Sequence, residues 1–150
     1  MWSTRVILLV GHVLAAVLLV GPATVAASAF PRQVRAGSAG EQAALGAARA
    51  FHRITRSYGT ASVAVGAVGV ALAAESDWWS ATWLQVAIAL YIAGLAVLLG
   101  AVVPLQGRLL AHAERAEPVA APLVGRLHAA TGAYAMSWLA VLVLMVAKPW

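Results

Sequence analysis

Long apolar segments without a charged residue constrain this chain more than any other feature. Four of them are long enough to cross a membrane, and they cover residues 6–30, 57–74, 80–105 and 129–147. A helix needs about 20 apolar residues to cross the hydrocarbon core of a bilayer. The segments do not alternate in polarity as barrel strands do, and open strands would leave backbone groups unsatisfied in lipid. The sequence therefore predicts an all-α integral membrane protein in which residues 1–150 form one four-helix bundle.

The composition agrees with a membrane protein and excludes several kinds of site. Hydrophobic residues make up 63% of the chain and charged residues 10%, whereas a soluble domain is about 25% charged. The absence of cysteine excludes disulfides and thiolate sites for metals or catalysis. The net charge of +5 is interpreted as arginines beside the membrane rather than as a nucleic-acid surface, and no nucleic-acid partner is expected.

The basic residues between the spans predict the topology. Eight of the nine arginines lie in the first and third connections. The short second connection holds Glu75 and Asp77 and no basic residue, and only Arg5 and Lys148 lie near the ends. Because Lys and Arg stay on the cytoplasmic side, both termini are predicted to lie outside. The eight arginines of this predicted cytoplasmic face are Arg32, Arg35, Arg49, Arg53, Arg56, Arg108, Arg115 and Arg126.

Tryptophans provide a second indication of the topology. Indole rings prefer the headgroup level of a bilayer. With four spans, five of the six tryptophans fall at the predicted outer boundary: Trp2, Trp78, Trp79, Trp83 and Trp150. Three spans would divide them between the two sides.

The first apolar segment also has features of a cleavable signal peptide, because it ends in the small residues Ala27, Ser28 and Ala29. Cleavage after Ala29 would place the five arginines of the first connection outside. Retention as an N-out span keeps them inside, and we favour retention.

Helices are expected to extend beyond the membrane on the arginine side. Ser38 and Glu41 have the spacing of a capping box, so the second helix is predicted to begin near residue 39. The third helix is predicted to extend past its apolar segment, and Pro122 suits the first turn of the fourth. Gly21 and Pro22 predict a disruption within the first helix.

His12 is the most informative polar residue of the predicted spans, about two turns below the outer surface, and two interpretations are open. The first is a ligand or proton site formed by His12, Gln85, Glu75 and Asp77 at the outer side. The second is a neutral histidine bonded to Gln85 or to a backbone carbonyl, which helps to fix helix packing. A histidine that faces lipid is costly, so both interpretations place it inside the bundle.

The remaining histidines, His52, His112 and His128, lie on the arginine side and match no metal-binding spacing. We expect no resident metal and no cofactor, with haem as a minor alternative. The arginine face is interpreted as fixing topology and contacting lipid, or as a docking surface for an acidic partner or a phosphate-bearing lipid. No phosphate loop, nucleophile elbow or HExxH motif is present.

Three short segments carry a family resemblance: Gly11–Ala16, Phe30–Arg32 and Phe51–Gly59, which read GHVLAA, FPR and FHRITRSYG. They resemble a bacterial family of predicted integral membrane proteins, the domain of unknown function 2269 group, and that resemblance implies no activity. A weaker resemblance is to the four-span protoporphyrinogen oxidases that bind haem, which have a histidine in the first helix and Pro-Arg at its end. Here His12 and Pro31 are further apart than in that family, and a lysine of its later helices has no counterpart.

These observations favour a non-enzymatic, multi-pass helper protein of the bacterial inner membrane. It would contact lipids, a membrane-protein partner or further copies of itself through the arginine face. The alternatives are a haem-linked membrane redox enzyme that uses His12 and a small proton-coupled transporter. In the transporter, the polar site would be His12, Gln85 and Glu75.

Overall fold

Four long helices form the protein, as the sequence predicts. The computed structural model describes residues 3–76 and 78–147, and it contains no strand within those ranges. We name the helices α1 (Thr4–Ser38), α2 (Gln42–Ala74), α3 (Thr82–Glu114) and α4 (Ala121–Ala147), and all four are long and apolar enough to span a membrane. A short 3₁₀ turn, Trp78–Ser80, lies between α2 and α3.

Two of the helices contain a π-helical turn ahead of a proline. The turn in α1 covers Ala16–Val20 and precedes Pro22, and the turn in α3 covers Leu98–Val102 and precedes Pro104. Proline has no N–H to donate and its ring collides with the preceding turn, so the regular hydrogen-bond ladder changes there. The disruption predicted at Gly21–Pro22 therefore takes the form of a wider turn, after which α1 continues without a break.

The connection between α1 and α2 corrects the predicted capping box. The Ser38 hydroxyl donates to the carbonyl of Arg35 at 2.8 Å, and Glu41 precedes α2 without a capping bond from its side chain. Gly40, with φ of 101°, ends α1, and the Glu41 N–H donates to the Ala36 carbonyl at 3.2 Å. This is the usual glycine-terminated helix end, and α2 consequently begins at Gln42 rather than near residue 39.

The connection between α3 and α4 uses the same hydrogen-bond pattern with a different residue. α3 extends past its apolar segment, as predicted, and ends at Glu114. The Glu117 N–H donates to the carbonyl of His112 at 3.0 Å. Ala116 occupies the left-handed position, with φ of 54°, where Gly40 stands in the first connection. Pro122 is the second residue of α4, as expected for a first-turn proline.

The main apolar core lies in the half of the bundle that carries the arginines. Side chains from all four helices meet there, and the fully buried ones include Phe30, Val34, Leu109, Val124 and Leu127. The opposite half is more open, because no residue of Thr4–Ala15 is buried. That part of α1 packs along the Val63–Ala74 part of α2, and Thr82–Val97 of α3 packs along α4.

Aromatic contacts identify which segments share the end opposite the arginine face. The Arg5 guanidinium lies 4.9 Å from the ring centroid of Trp78, and Trp78 meets Trp83 edge to face at 5.6 Å. The start of α1 therefore lies beside the α2–α3 connection. Several residues used to predict the topology lie outside the described ranges, namely Trp2, Asp77, Lys148 and Trp150. Which end faces the cytoplasm stays a prediction.

Candidate functional site

His12 contacts the backbone of α2 within the membrane-spanning part of the bundle. Its Nδ1 lies 3.1 Å from the carbonyl oxygen of Val65. A carbonyl only accepts hydrogen bonds, so Nδ1 carries the hydrogen and donates it. Gly69 lies against the ring, and a Cβ built there would be 2.9 Å from His12 Cε1. The missing side chain at Gly69 thus makes room for the imidazole between α1 and α2.

The structure does not bring the predicted partners of His12 to its ring. Gln85 is exposed, and its Nε2 donates to the carbonyl of Trp79 at 3.1 Å. Glu75 is exposed at the end of α2, and Asp77 lies outside the described residues. The physical reason is that the Thr4–Ala15 half of α1 packs on α2, whereas the Gln85 amide reaches back to the α2–α3 connection. A ligand or proton role for His12 stays a prediction.

Tyr91 of α3 bonds to the backbone of α2 next to Ser62, where the α2 helix is interrupted. Tyr91 was not among the site residues predicted from the sequence. Its hydroxyl donates to the carbonyl of Ser62 at 2.7 Å and accepts from the N–H of Gly66 at 3.3 Å. In a regular helix, that N–H and that carbonyl would bond to each other. The tyrosine hydroxyl therefore stands inside the hydrogen-bond ladder of α2, next to the point where the helix is interrupted at Ser62.

A buried polar cluster joins α2 and α3 in the arginine half of the bundle. Gln106 is completely buried, and its Nε2 lies 3.3 Å from the hydroxyl of Thr55, which is also completely buried. The Thr55 hydroxyl donates to the carbonyl of Phe51 at 2.9 Å. The other end of the Gln106 amide, Oε1, lies 3.4 Å from Nδ1 of His52. The sequence did not lead to a prediction of this cluster. The one signal for it is Gln106, an uncharged polar side chain close to the apolar residues Val102 and Leu109.

The donors and acceptors of the Gln106 cluster determine the tautomer of His52. Because the Thr55 hydroxyl donates to a carbonyl, it accepts from the Gln106 amide NH₂. The Gln106 carbonyl oxygen then faces His52 and must accept, so Nδ1 of His52 carries a hydrogen. In the neutral ring, Nε2 is left with a lone pair. His52 is half-buried, and a Cβ at Gly107 would lie 3.9 Å from this nitrogen.

The predicted arginine face is a set of exposed side chains at one end of the bundle. All eight arginines are exposed. Arg49 Nε pairs with Glu114 Oε1 at 2.8 Å, and Arg115 Nη1 lies 4.0 Å from Glu117 Oε2. His112 Nδ1 contacts the same oxygen of Glu117 at 2.7 Å. Within the described residues, the other six arginines form no ion pair; they are Arg32, Arg35, Arg53, Arg56, Arg108 and Arg126.

The acidic and imidazole side chains of the described ranges do not converge on a metal-binding arrangement. Among residues 3–76 and 78–147, no three His, Asp or Glu side chains are grouped closely enough to hold a metal ion. His128, the remaining histidine of the arginine end, is exposed on α4.

Comparison with known proteins identifies the family. A family model described as "Predicted integral membrane protein (DUF2269)" matches residues 6–149. The chain belongs to the DUF2269 family. This match covers all four helices, and it confirms the resemblance seen in the three short segments of the sequence. No curated protein and no solved structure matches this DUF2269 chain.

Proposed function

We propose that this protein is a non-enzymatic membrane bundle that binds the anionic lipid headgroups of its bilayer through the arginine face. The observation that supports the proposal is the set of exposed arginines, of which six have no carboxylate partner within the described residues. That end of the molecule has three glutamates, Glu41, Glu114 and Glu117, against eight arginines. The excess positive charge at this end is therefore available to negative groups from outside the chain.

The position of the arginines favours lipid headgroups as those counter-charges. Arg32, Arg56, Arg108 and Arg126 come from four different helices and lie beside the apolar spans. Each basic residue close to an anionic leaflet contributes about 1 kcal/mol to the attraction. Arginine also presents a planar fork of donors that matches phosphate oxygens. A ring of unpaired arginines at the membrane boundary thus suits the phosphates of surrounding lipids.

Reconstitution in lipid nanodiscs tests this proposal. We expect the full-length protein to be more resistant to thermal unfolding with phosphatidylglycerol than with phosphatidylcholine, and to lose the difference at high salt because ions screen exposed charges. Replacing the six unpaired arginines by glutamine should abolish the difference. Arg5→Gln, at the opposite end, is the matched control and should preserve it. Equal stability of the natural chain in both lipids would refute the proposal.

The orientation belongs to the same proposal, with the arginine face in the cytoplasm of a bacterial inner membrane. The asymmetry of basic residues between the two ends supports it. Because the chain has no cysteine, single cysteines can report the side directly. Ser80→Cys should react in intact cells with a thiol reagent that does not cross membranes, whereas Ser38→Cys should react only after lysis. The reverse labelling pattern would overturn the orientation.

A further inference from the structure

His52, half-buried at the arginine face, has an orientation fixed by hydrogen bonds. A fixed imidazole can select among the anions that the face binds. Gln106 is completely buried and bonds Thr55 at one end of its amide and His52 at the other. The relay from Phe51 through Thr55 and Gln106 holds Nδ1 of His52 as a donor to protein. Within the described residues, Nε2 of His52 forms no hydrogen bond. The structure therefore presents one imidazole nitrogen whose direction is set by a buried network, in the way that a hydrogen bond to one ring nitrogen orients a histidine that binds a ligand through the other.

Two arginines without an ion pair in the described residues neighbour His52 in the fold. Arg56 lies one turn further along α2, on the same face as His52. Arg108 follows Gly107, which packs against His52: a Cβ built at Gly107 would lie 3.9 Å from Nε2. Both arginines are exposed and without an ion pair in the described chain. An acceptor nitrogen thus lies near two cationic side chains, an arrangement that suits an anion with a proton of its own.

Building on the lipid-binding function proposed above, we propose that His52 makes the arginine face selective for phosphomonoester headgroups, such as that of phosphatidic acid. A phosphomonoester has a second ionisation with a pKa of about 6, whereas a phosphodiester has no second proton. When the ester is monoprotonated, its P–OH donates to the neutral Nε2 of His52. Arg56 and Arg108 bind the remaining phosphate oxygens with charge-assisted hydrogen bonds.

Lipid selectivity tests the inference, because phosphatidylglycerol is anionic but is a phosphodiester. The full-length protein in neutral detergent is titrated with phosphatidic acid and with phosphatidylglycerol, and bound lipid is counted by native mass spectrometry. We expect the natural chain to prefer phosphatidic acid by about tenfold, as one added charge-assisted hydrogen bond would give. His52→Phe should bring this ratio close to one while leaving phosphatidylglycerol binding unchanged. His128→Phe, at the same end of the bundle, is the matched control and should keep the preference.

Gln106 acts as a positioning residue in this arrangement, and a second pair of variants tests that role. Gln106→Leu removes the acceptor for His52, and it should lower the selectivity ratio without lowering phosphatidylglycerol binding. Thr55→Val is the milder alternative if the leucine variant does not fold, because it removes only the partner that fixes the Gln106 amide. A purely structural cluster would change stability and leave the ratio unaltered, and that result would exclude the positioning role.

The outcomes separate this inference from the proposed function. Equal binding of the two anionic lipids by the natural chain, both tighter than phosphatidylcholine, would overturn the selectivity and leave the lipid-binding function standing. Binding no tighter than phosphatidylcholine for either anionic lipid would overturn both. Inorganic phosphate that competes as effectively as phosphatidic acid would show that the site takes the free ion, and it would overturn the assignment to a lipid.

Discussion

The hydroxyl of Tyr91 on α3 donates a 2.7 Å hydrogen bond to the backbone carbonyl of Ser62 on α2, within the apolar part of both helices. The same hydroxyl accepts from Gly66 N–H at 3.3 Å, so a side chain of one helix completes the backbone ladder of another. Hydrogen bonds of this kind matter in a bilayer because hydrophobic forces between helices are weak there. The contact couples the regularity of α2 to the position of α3.

Tyr91→Phe should destabilise the bundle, because it removes both hydrogen bonds and leaves the Gly66 N–H without its acceptor. Interhelical hydrogen bonds in membranes contribute about 0.6 kcal/mol on average and up to about 1.7 kcal/mol. We expect a loss of roughly 1 kcal/mol in the free energy of unfolding, measured by reversible unfolding in mixed micelles. Tyr58→Phe is the control, since Tyr58 is 40% exposed; an equal effect at both positions would contradict the role of Tyr91.

His12 and Gly69 should be energetically coupled. Gly69→Ala places a Cβ 2.9 Å from His12 Cε1, and overpacking of this kind costs about 1–3 kcal/mol. In a His12→Ala background the clash is absent, so the same glycine change should cost little. A double-mutant cycle measures the difference, and Gly100→Ala, which meets nothing within 4 Å, provides the control. Additive effects at the two positions would show that the imidazole does not occupy the space beside Gly69.

The close approach of α1 and α2 near their connection should depend on Gly37. A Cβ at this position would lie 2.9 Å from the Cα of Leu45 and 3.1 Å from its nitrogen. Backbone atoms cannot rotate away, so Gly37→Ala should separate the two helices and lower the free energy of unfolding by about 1–3 kcal/mol. Gly46→Ala on α2 has no atom within 4 Å and should be tolerated. Circular dichroism during thermal unfolding compares the two variants, and similar melting temperatures would disprove the tight contact.

The two helix ends on the arginine side should respond in opposite directions to exchange of alanine and glycine. Ala116 has φ of 54° and Gly40 has φ of 101°. A left-handed conformation costs an L-residue about 1–2 kcal/mol, whereas glycine adopts it freely. Ala116→Gly should therefore stabilise the protein by up to about 1 kcal/mol, and Gly40→Ala should destabilise it by a similar amount. Calorimetry of both variants checks the signs, and a destabilising Ala116→Gly would be inconsistent with this backbone geometry.

Features that depend on hydropathy and on local chain chemistry could be predicted from the sequence. The four long apolar helices, the extension of α3 past its apolar segment and the position of Pro122 in the first turn of α4 agree with the structure. Apolar length decides whether a segment can cross a bilayer, and it does so without reference to the neighbouring helices. These predictions needed only the residues of one segment at a time.

Features that depend on how the helices are rotated against one another could not be predicted. His12 was placed beside Gln85 because the two lie at similar depth, yet depth does not determine which neighbouring helix a side chain faces. In the structure His12 bonds to the carbonyl of Val65. Every residue has a backbone carbonyl, so the sequence does not identify this partner. The Ser38–Glu41 capping box failed for a local reason, since Gly40 between them adopts a left-handed conformation and ends α1 first.

Because the main core lies in the arginine half, the first three or so turns of α1 at the other end pack less tightly against their neighbours. Since no residue of Thr4–Ala15 is buried, acyl chains rather than neighbouring side chains form most of its surroundings. The requirements on this stretch are therefore its hydrophobicity and its length rather than the shape of each side chain. Exchanges among valine, leucine and isoleucine there should leave the protein intact, whereas the same exchanges at Val34 or Leu109 would not.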